Sequence, residues 1–407
     1  MNAFIVAARR TPFGTFGGSL KTTTATDLGV AASRAAIADL PADFVSKATD
    51  PSSKTQFFDS VIFGNVCQTS KDAAYLARHV GLRSGLPIEV PALTLNRLCG
   101  SGFQSIISAV QEMNSKDAKL ALVGGTESMS QAPYVVRDIR FGTKFGAENL
   151  NLEDSLISAL SDRYPKVIPM AITAEDLGDK YGITRQMADQ YSLRSQVTWA
   201  KAHESGVFKH ETTPIEIKSK KGTTLFEVDE HPRPKTTIEG LAGLRSVFKK
   251  DGLVTAGSAS GICDGAAALV VASESACSEF NLSPLAKIVS YQVVGVDPTI
   301  MGIGPANAIR GALKKANLSL TDMDYIEINE AFAAQVLAVC RELELDPGRV
   351  NVHGGAIALG HPLAASGARI MTHLTHVLNQ TKKRYAIGSA CIGGGQGIAI
   401  IIENQNL

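Results

Sequence analysis

The chain has 407 residues, 44% of them hydrophobic and 19% charged, enough to bury more than one core and to divide into two or three domains. Its formal net charge of +1 provides no bulk field for nucleic acid or an anionic bilayer, and no apolar run is long enough to span a membrane. Cys67, Cys99, Cys263, Cys277, Cys340 and Cys391 form no C-x-x-C pair, so free thiols in a reducing compartment are expected rather than a disulfide framework.

In chain order, Phe4–Ala8 reads as a strand. Arg9, Arg10 and Lys21 precede the first acidic residue, Asp27, and sit among hydroxyl residues, a composition shared with organellar targeting segments. The apolar Phe4-Ile5-Val6 favours a buried first strand and a basic loop, with an uncleaved targeting segment as the alternative use of the same residues. Further strands are expected at Ser60–Gly64, Ala92–Asn96 and Leu120–Val123, and helices at Thr26–Leu40, Ala73–Val80 and Gly102–Met113. The last of these carries Phe103, Ile106, Ile107 and Val110 on one face. Strands interleaved with helices predict a mainly parallel sheet covered on both faces.

Residues 129–255 differ in texture, being rich in charge and hydroxyl groups, and read as an inserted domain. Their clearest helix follows Thr184, covers Gln186–His203 and stops near Gly206. Positive charge is scattered over Lys218, Lys220, Lys221, Arg233, Lys235, Lys249 and Lys250. The strand–helix rhythm then returns. Strands are expected at Ala286–Ser290, Tyr325–Asn329, Val350–Val352, Tyr385–Ser389 and Gly397–Ile402, with helices at Pro305–Ala316, Ala331–Glu342 and Ser366–Leu378. Both halves run strand, helix, a strand ending near an asparagine, then a small-residue turn into a helix, the mark of an internal duplication. The expected boundaries are 1–128 completed by 256–283, the insertion at 129–255, and a second half at 284–407.

Two cysteines stand in runs of small residues. Cys99 precedes Gly100-Ser101-Gly102 at the start of the amphipathic helix. Partial positive charge and free N–H groups at a helix N-terminus favour thiolate and can face an oxyanion. A buried packing cysteine is the competing reading. Cys391 precedes Gly393-Gly394-Gly395, which lets a ligand lie against the backbone; a phosphate loop is weaker, because no Lys-Ser/Thr follows. His361, in Gly360-His361-Pro362, is a loop imidazole able to carry a proton, or one that only hydrogen-bonds the backbone. Asn329 ends a strand and can hold a water or a carbonyl. Cys67, Cys263, Cys277 and Cys340 read as packing or surface residues. His353, His373 and His376 read as structural or surface residues, without an acidic or thiol partner that would make a metal site.

Together these segments resemble the thiolase family. Arg10-Thr11-Pro12-Phe13-Gly14, Gly124–Ser130 and Asp264-Gly265-Ala266 add to the resemblance, and Asn96–Gln104, Ser128–Tyr134 and Met301–Pro305 resemble its mitochondrial, fatty-acid-degrading branch. The resemblance implies a duplicated five-layered αβαβα fold with an inserted loop domain, a homodimer or homotetramer, and thiolysis of a 3-oxoacyl-CoA by coenzyme A. It implies Cys99 as acylated nucleophile, His361 as its base, Cys391 as the group exchanging the α-proton of acetyl-CoA, and Asn329 as the holder of a water in one oxyanion hole. The N–H groups of Cys99 and Gly393 would form the second hole, and Arg233, Thr236 and Ser260 would contact coenzyme A. Coenzyme A is then a substrate, and no cofactor or metal is expected. The mitochondrial matrix is the implied location, with the cytoplasm as alternative. Ala364 replaces a frequent glycine and His353 a frequent asparagine, which puts the local loop geometry in question.

Three other readings share these features. One is a biosynthetic acetoacetyl-CoA thiolase running the reverse condensation. Another is a ketoacyl synthase, against which Cys391 argues. The third is a non-catalytic acyl-CoA or sterol carrier, which would have no need of all four reactive residues.

Overall fold

Among the described residues, nine strands lie side by side in one sheet that runs through both halves of the chain. The computed structural model describes residues 2–50, 57–146, 149–219 and 222–407, so Lys220 and Lys221 lie outside the described residues. The first half supplies β1 (Ala3–Arg10), β2 (Ser60–Gly64), β3 (Ala92–Leu95), β4 (Leu120–Ser128) and β5 (Cys263–Ser273). The second supplies β6 (Ala286–Gly295), β7 (Tyr325–Ile328), β8 (Tyr385–Ile392) and β9 (Gln396–Asn404). The order is β7-β8-β9-β6-β1-β5-β4-β2-β3, with the short strand Gly14–Thr15 paired to β5.

The order repeats. From β1 outward the neighbours are β5 and β4, antiparallel, then β2 and β3, parallel. From β6 outward they are β9 and β8, antiparallel, then β7, parallel. The strand expected at Val350–Val352 shrinks to one parallel bridge, Val350 to Ile326, at the place β3 holds in the first half. Within the sheet, the described residues of the two halves pair through Phe4 opposite Lys287 and Ile5 opposite Ala286. So narrow a seam lets the sheet fold back on itself.

Alternation then builds layers. Leu120 and Leu122 of β4 face one core with Leu28, Val30 and Ile37 of α1 (Ala25–Ala38) and Leu76 and Val80 of α2 (Leu76–Arg83). Ala121 and Val123 face a central core with Ile106 and Val110 of α3 (Ser101–Ser115), Ile370 and Leu374 of α8 (Ala365–Thr381), and Ile398, Ile400 and Ile402 of β9. Ala399 and Ile401 of β9 face a third core with Ile309 and Leu313 of α6 (Gly304–Ala316) and Val336 and Val339 of α7 (Ala333–Glu342). Five layers result, α-β-α-β-α, with α3 and α8 in the middle. Strands covered on both faces read as continuous apolar runs. The strand pattern alone misses β5, because Gly265 and its alanines have low strand propensity and only burial selects them.

Within residues 129–255 the short strands form three separate two-stranded sheets outside the main one. Helices α4 (Met170–Tyr181) and α5 (Arg185–Glu204) provide its apolar face. Thr184 caps α5, accepting the Met187 N–H at 3.3 Å, and Gly206, at φ 76°, turns the chain out of it. No helix among the described residues is long and apolar enough to cross a membrane.

Candidate active site

The turn before α3 presents Cys99. Leu98 holds φ 46°, a left-handed conformation costing a branched residue about 1 kcal/mol, and local hydrogen bonds fix it. Asn96 Oδ1 accepts the Leu98 N–H at 2.9 Å, while Ser101 Oγ accepts the Arg97 N–H at 2.9 Å and donates to the Leu98 carbonyl at 2.7 Å. Gly100 is the N-cap, and a Cβ there would meet Ile392 Cδ1 at 2.4 Å. Gly102 lies against the first turn of α8, where a Cβ would meet the Ala368 nitrogen at 2.4 Å. The two central helices therefore bring their N-termini to one place, one behind Cys99 and the other behind His361.

Cys99 keeps some surface toward a cavity but lies deep in the protein. Burial pushes its thiol up to about 11, against the N–H groups of Gly393 and of Cys99 itself, which point at Sγ. The expectation that the helix N-terminus favours thiolate is thus corrected. Cys99 stands before the N-cap, outside the first turn where the helix field is strongest, and desolvation wins. The resting sulfur is a thiol that needs a base.

His361 supplies one. Its backbone N–H donates to the Gly261 carbonyl at 2.8 Å, and a Cβ on Gly360, at φ 91°, would meet Cys263 Sγ at 2.5 Å, so the loop is clamped. Burial and the positive charge of Arg369 push the imidazole down to about 3, which leaves it neutral. Nδ1 contacts Ser366 Oγ, and Nε2 lies 3.3 Å from Asn329 Nδ2. Asn329 is fixed at the end of β7, its N–H donating to the Ser389 carbonyl at 2.9 Å. Its buried Oδ1 has no partner among the described residues, so the amide keeps capacity for a further hydrogen bond. Ala364 occupies an ordinary helical conformation, φ −73°, so the loop accepts alanine without strain.

Cys391 ends β8 with no exposed surface. Behind it Gly394 and Gly395, at φ 76° and 79°, turn the chain into β9. Cys391 packs with Met301 and Ala331, both of which line the Cys99 cavity. Burial raises its thiol, and negative charge on Cys99 raises it further, so the two sulfurs feel one another.

The cavity at Cys99 has a volume of about 90 Å³, with His361, Gly393, Leu98, Met301 and Ala331 in its wall. A second cavity of about 300 Å³ shares Leu160, Met170, Ser260, Phe332, His361 and Leu363 with it and reaches the half-exposed Phe248. The two form one apolar channel ending at the thiol. Ser260 lies on it. Arg233 and Thr236 line neither cavity; they form an exposed turn closed by Thr236 Oγ1 on the Arg233 carbonyl at 2.7 Å.

Several contributors carry no signal strong enough in the sequence. Ser366 is an ordinary first-turn serine until the fold places it on His361. Leu160, Met170 and Leu363 are apolar residues from distant segments. Glu127 is fully buried, accepting N–H groups from Cys67 at 2.9 Å, Ala364 at 3.1 Å and Val66 at 3.2 Å, so it ties the end of β2 to the His361 loop. Burial pushes its carboxyl up to about 7 despite those donors. His373 has an acidic partner that its neighbours in sequence hide. Its Nδ1 meets Glu211 Oε2 at 2.7 Å, its Nε2 meets His353 Nδ1 at 3.0 Å, and Glu211 also takes Arg10 Nε at 2.7 Å. Burial raises Glu211, but His373 and Arg10 outweigh it and hold the carboxyl at about 2.

The chain is similar to known thiolases over almost its whole length. Residues 3–275 match the thiolase N-terminal domain and residues 282–404 the thiolase C-terminal domain. A mitochondrial 3-ketoacyl-CoA thiolase of Mus musculus is 60% identical over 401 residues, 98% of each chain. The crystal structure of human mitochondrial 3-ketoacyl-CoA thiolase superimposes with a TM-score of 0.93 at 57% identity, covering 99% of each chain. The human enzyme in complex with CoA gives 0.92 at 56% identity, over 99% of this chain and 98% of that one.

Proposed function

Because the chain belongs to the thiolase family, we propose that it is a 3-ketoacyl-CoA thiolase of fatty acid β-oxidation in the mitochondrial matrix. It cleaves a 3-oxoacyl-CoA with coenzyme A to acetyl-CoA and an acyl-CoA two carbons shorter. The carrying observation is the Cys99 thiol on an apolar channel, with neutral His361 and the Gly393 N–H in the same wall and Cys391 behind it.

The chemistry follows from these groups. His361 takes the Cys99 proton, and the thiolate attacks the C3 ketone. His361 and a water held by Asn329 stabilise the resulting alkoxide. When the C2–C3 bond breaks, Cys99 retains the acyl group and Cys391 protonates the departing acetyl-CoA carbanion. The N–H groups of Cys99 and Gly393 receive that enolate's oxygen. An incoming coenzyme A thiol gives its proton to Cys391 and takes the acyl group from Cys99. The channel carries the pantetheine arm past Ser260 and Phe248, while Arg233 and Thr236 stand at the surface for the nucleotide end.

A homodimer or homotetramer fits the surface. β3 ends the sheet with an open edge and a half-exposed Leu93, and Phe141, Phe145 and Leu152 are strongly exposed. The test is product analysis over a series of 3-ketoacyl-CoA chain lengths with coenzyme A. Acetyl-CoA and a chain shortened by two carbons are expected in equal amounts, and consumption without acetyl-CoA rejects the reading.

A further inference from the structure

Cys67, which the mechanism does not use, has a specific neighbour. Gly64 of β2 pairs with Leu95 of the parallel strand β3, and both chains leave the sheet side by side toward Cys67 and Cys99. The pairing continues one step past the ladder, the Asn65 N–H donating to the Leu95 carbonyl at 3.1 Å. Asn96 ties the two exits together, its Nδ2 donating to the Val66 carbonyl at 3.3 Å. Cys67 and Cys99 then pack on the same small cluster of Met129, Leu156 and Leu363. Cys67 is half-buried and lines neither cavity. Burial first, then negative charge on Glu127 and on Cys99, push the Cys67 thiol up to about 12, so it gives up its proton only as it attacks.

We infer that Cys67 is a resolving thiol for the nucleophile: hydrogen peroxide oxidises Cys99, and Cys67 captures the product as an intramolecular disulfide that blocks acylation reversibly. The first step uses the base already present. His361 takes the Cys99 proton, the thiolate attacks one peroxide oxygen, the O–O bond breaks, and Cys99 becomes a sulfenic acid while the other oxygen leaves as water with the proton from His361. Cys67 sulfur then attacks Cys99 sulfur, the S–O bond breaks, and the hydroxyl leaves as water with the Cys67 proton. Overall two thiols are oxidised by two electrons and one peroxide is reduced to two waters. Capture spares Cys99 the irreversible sulfinic state.

The inference rests on Cys99 being the acylated residue only for its effect on activity; the linkage itself is read by mass. Protein freed of reductant is treated with hydrogen peroxide, alkylated and digested without reduction. A peptide pair joining Cys67 to Cys99 is expected, with lost activity restored by dithiothreitol. The Cys67→Ser variant should yield no such pair, and under the same dose its lost activity should not return, with Cys99 found as sulfinic acid. Cys99 joined to Cys391, or Cys99 sulfinic in the parent protein while Cys67 is recovered alkylated, would overturn the inference. Failure of untreated protein to form an acyl adduct on Cys99 would instead refute the acyl-transfer reading.

Discussion

Asn329 Nδ2 stands 3.3 Å from His361 Nε2, although the two residues come from different loops of the second half. An amide and a neutral imidazole converging on one cavity form a ready site for an oxygen that gains charge. Asn329→Ala should lower kcat by on the order of 10² to 10³ while Cys99 still alkylates with iodoacetamide at the parent rate. A loss below about threefold would place the charge elsewhere.

Ser366 sets the ring of His361 through Nδ1. Ser366→Ala removes one hydrogen bond, worth about 1 kcal/mol, so kcat should fall by about tenfold at most with little change in KM. Ser366→Thr, which keeps the hydroxyl, should recover part of it. Equal loss in both variants would argue for packing rather than ring orientation.

Cys391 is separable from Cys99. Cys391→Ala should leave acylation of Cys99 by a 3-ketoacyl-CoA detectable and abolish exchange of the α-hydrogens of acetyl-CoA with solvent deuterium. Exchange at the parent rate would assign that proton to another group.

His353 gives a pH-dependent stability with a definite sign. Burial and the charge of His373 push its imidazole down to about 4. The unfolded chain takes up this proton below about 6.5 and the folded protein only near 4, so folding loses stability as pH falls through that window. His361 acts in the same direction, with its folded value near 3. Glu127 acts oppositely between its unfolded and folded values, but it is common to parent and variant. The fall in Tm between pH 7 and pH 5 should therefore be smaller for His353→Asn, by the equivalent of about 2 kcal/mol at most, less what solvent screening of the partly exposed ring removes. An equal or steeper fall contradicts the assignment.

Much of this was legible in the chain because the signals were local. Phe4-Ile5-Val6 is the continuous apolar run of a strand covered on both faces, Thr184 and Gly206 bracket α5, and Cys99, His361 and Cys391 stand in glycine-rich turns that only close approach requires. Residues whose meaning depends on distant partners were not legible. Ser366 becomes a partner of His361 only once α8 is placed. Glu127 gains its role from Cys67 and Ala364, and the Glu211 partner of His373 lies in the insertion. The protonation of Cys99 escapes a local reading for the same reason. The helix field is written locally, whereas the burial that outweighs it comes from the whole fold.

The most direct measurement is the mass of the intact protein, and of its Cys99 peptide, after rapid acid quench from a 3-ketoacyl-CoA without free coenzyme A. The account predicts one acyl group, two carbons shorter than the substrate chain, on Cys99, with one acetyl-CoA released, and its disappearance on adding coenzyme A. An unmodified Cys99 after acetyl-CoA has been released, or the acyl group on another residue, would contradict it.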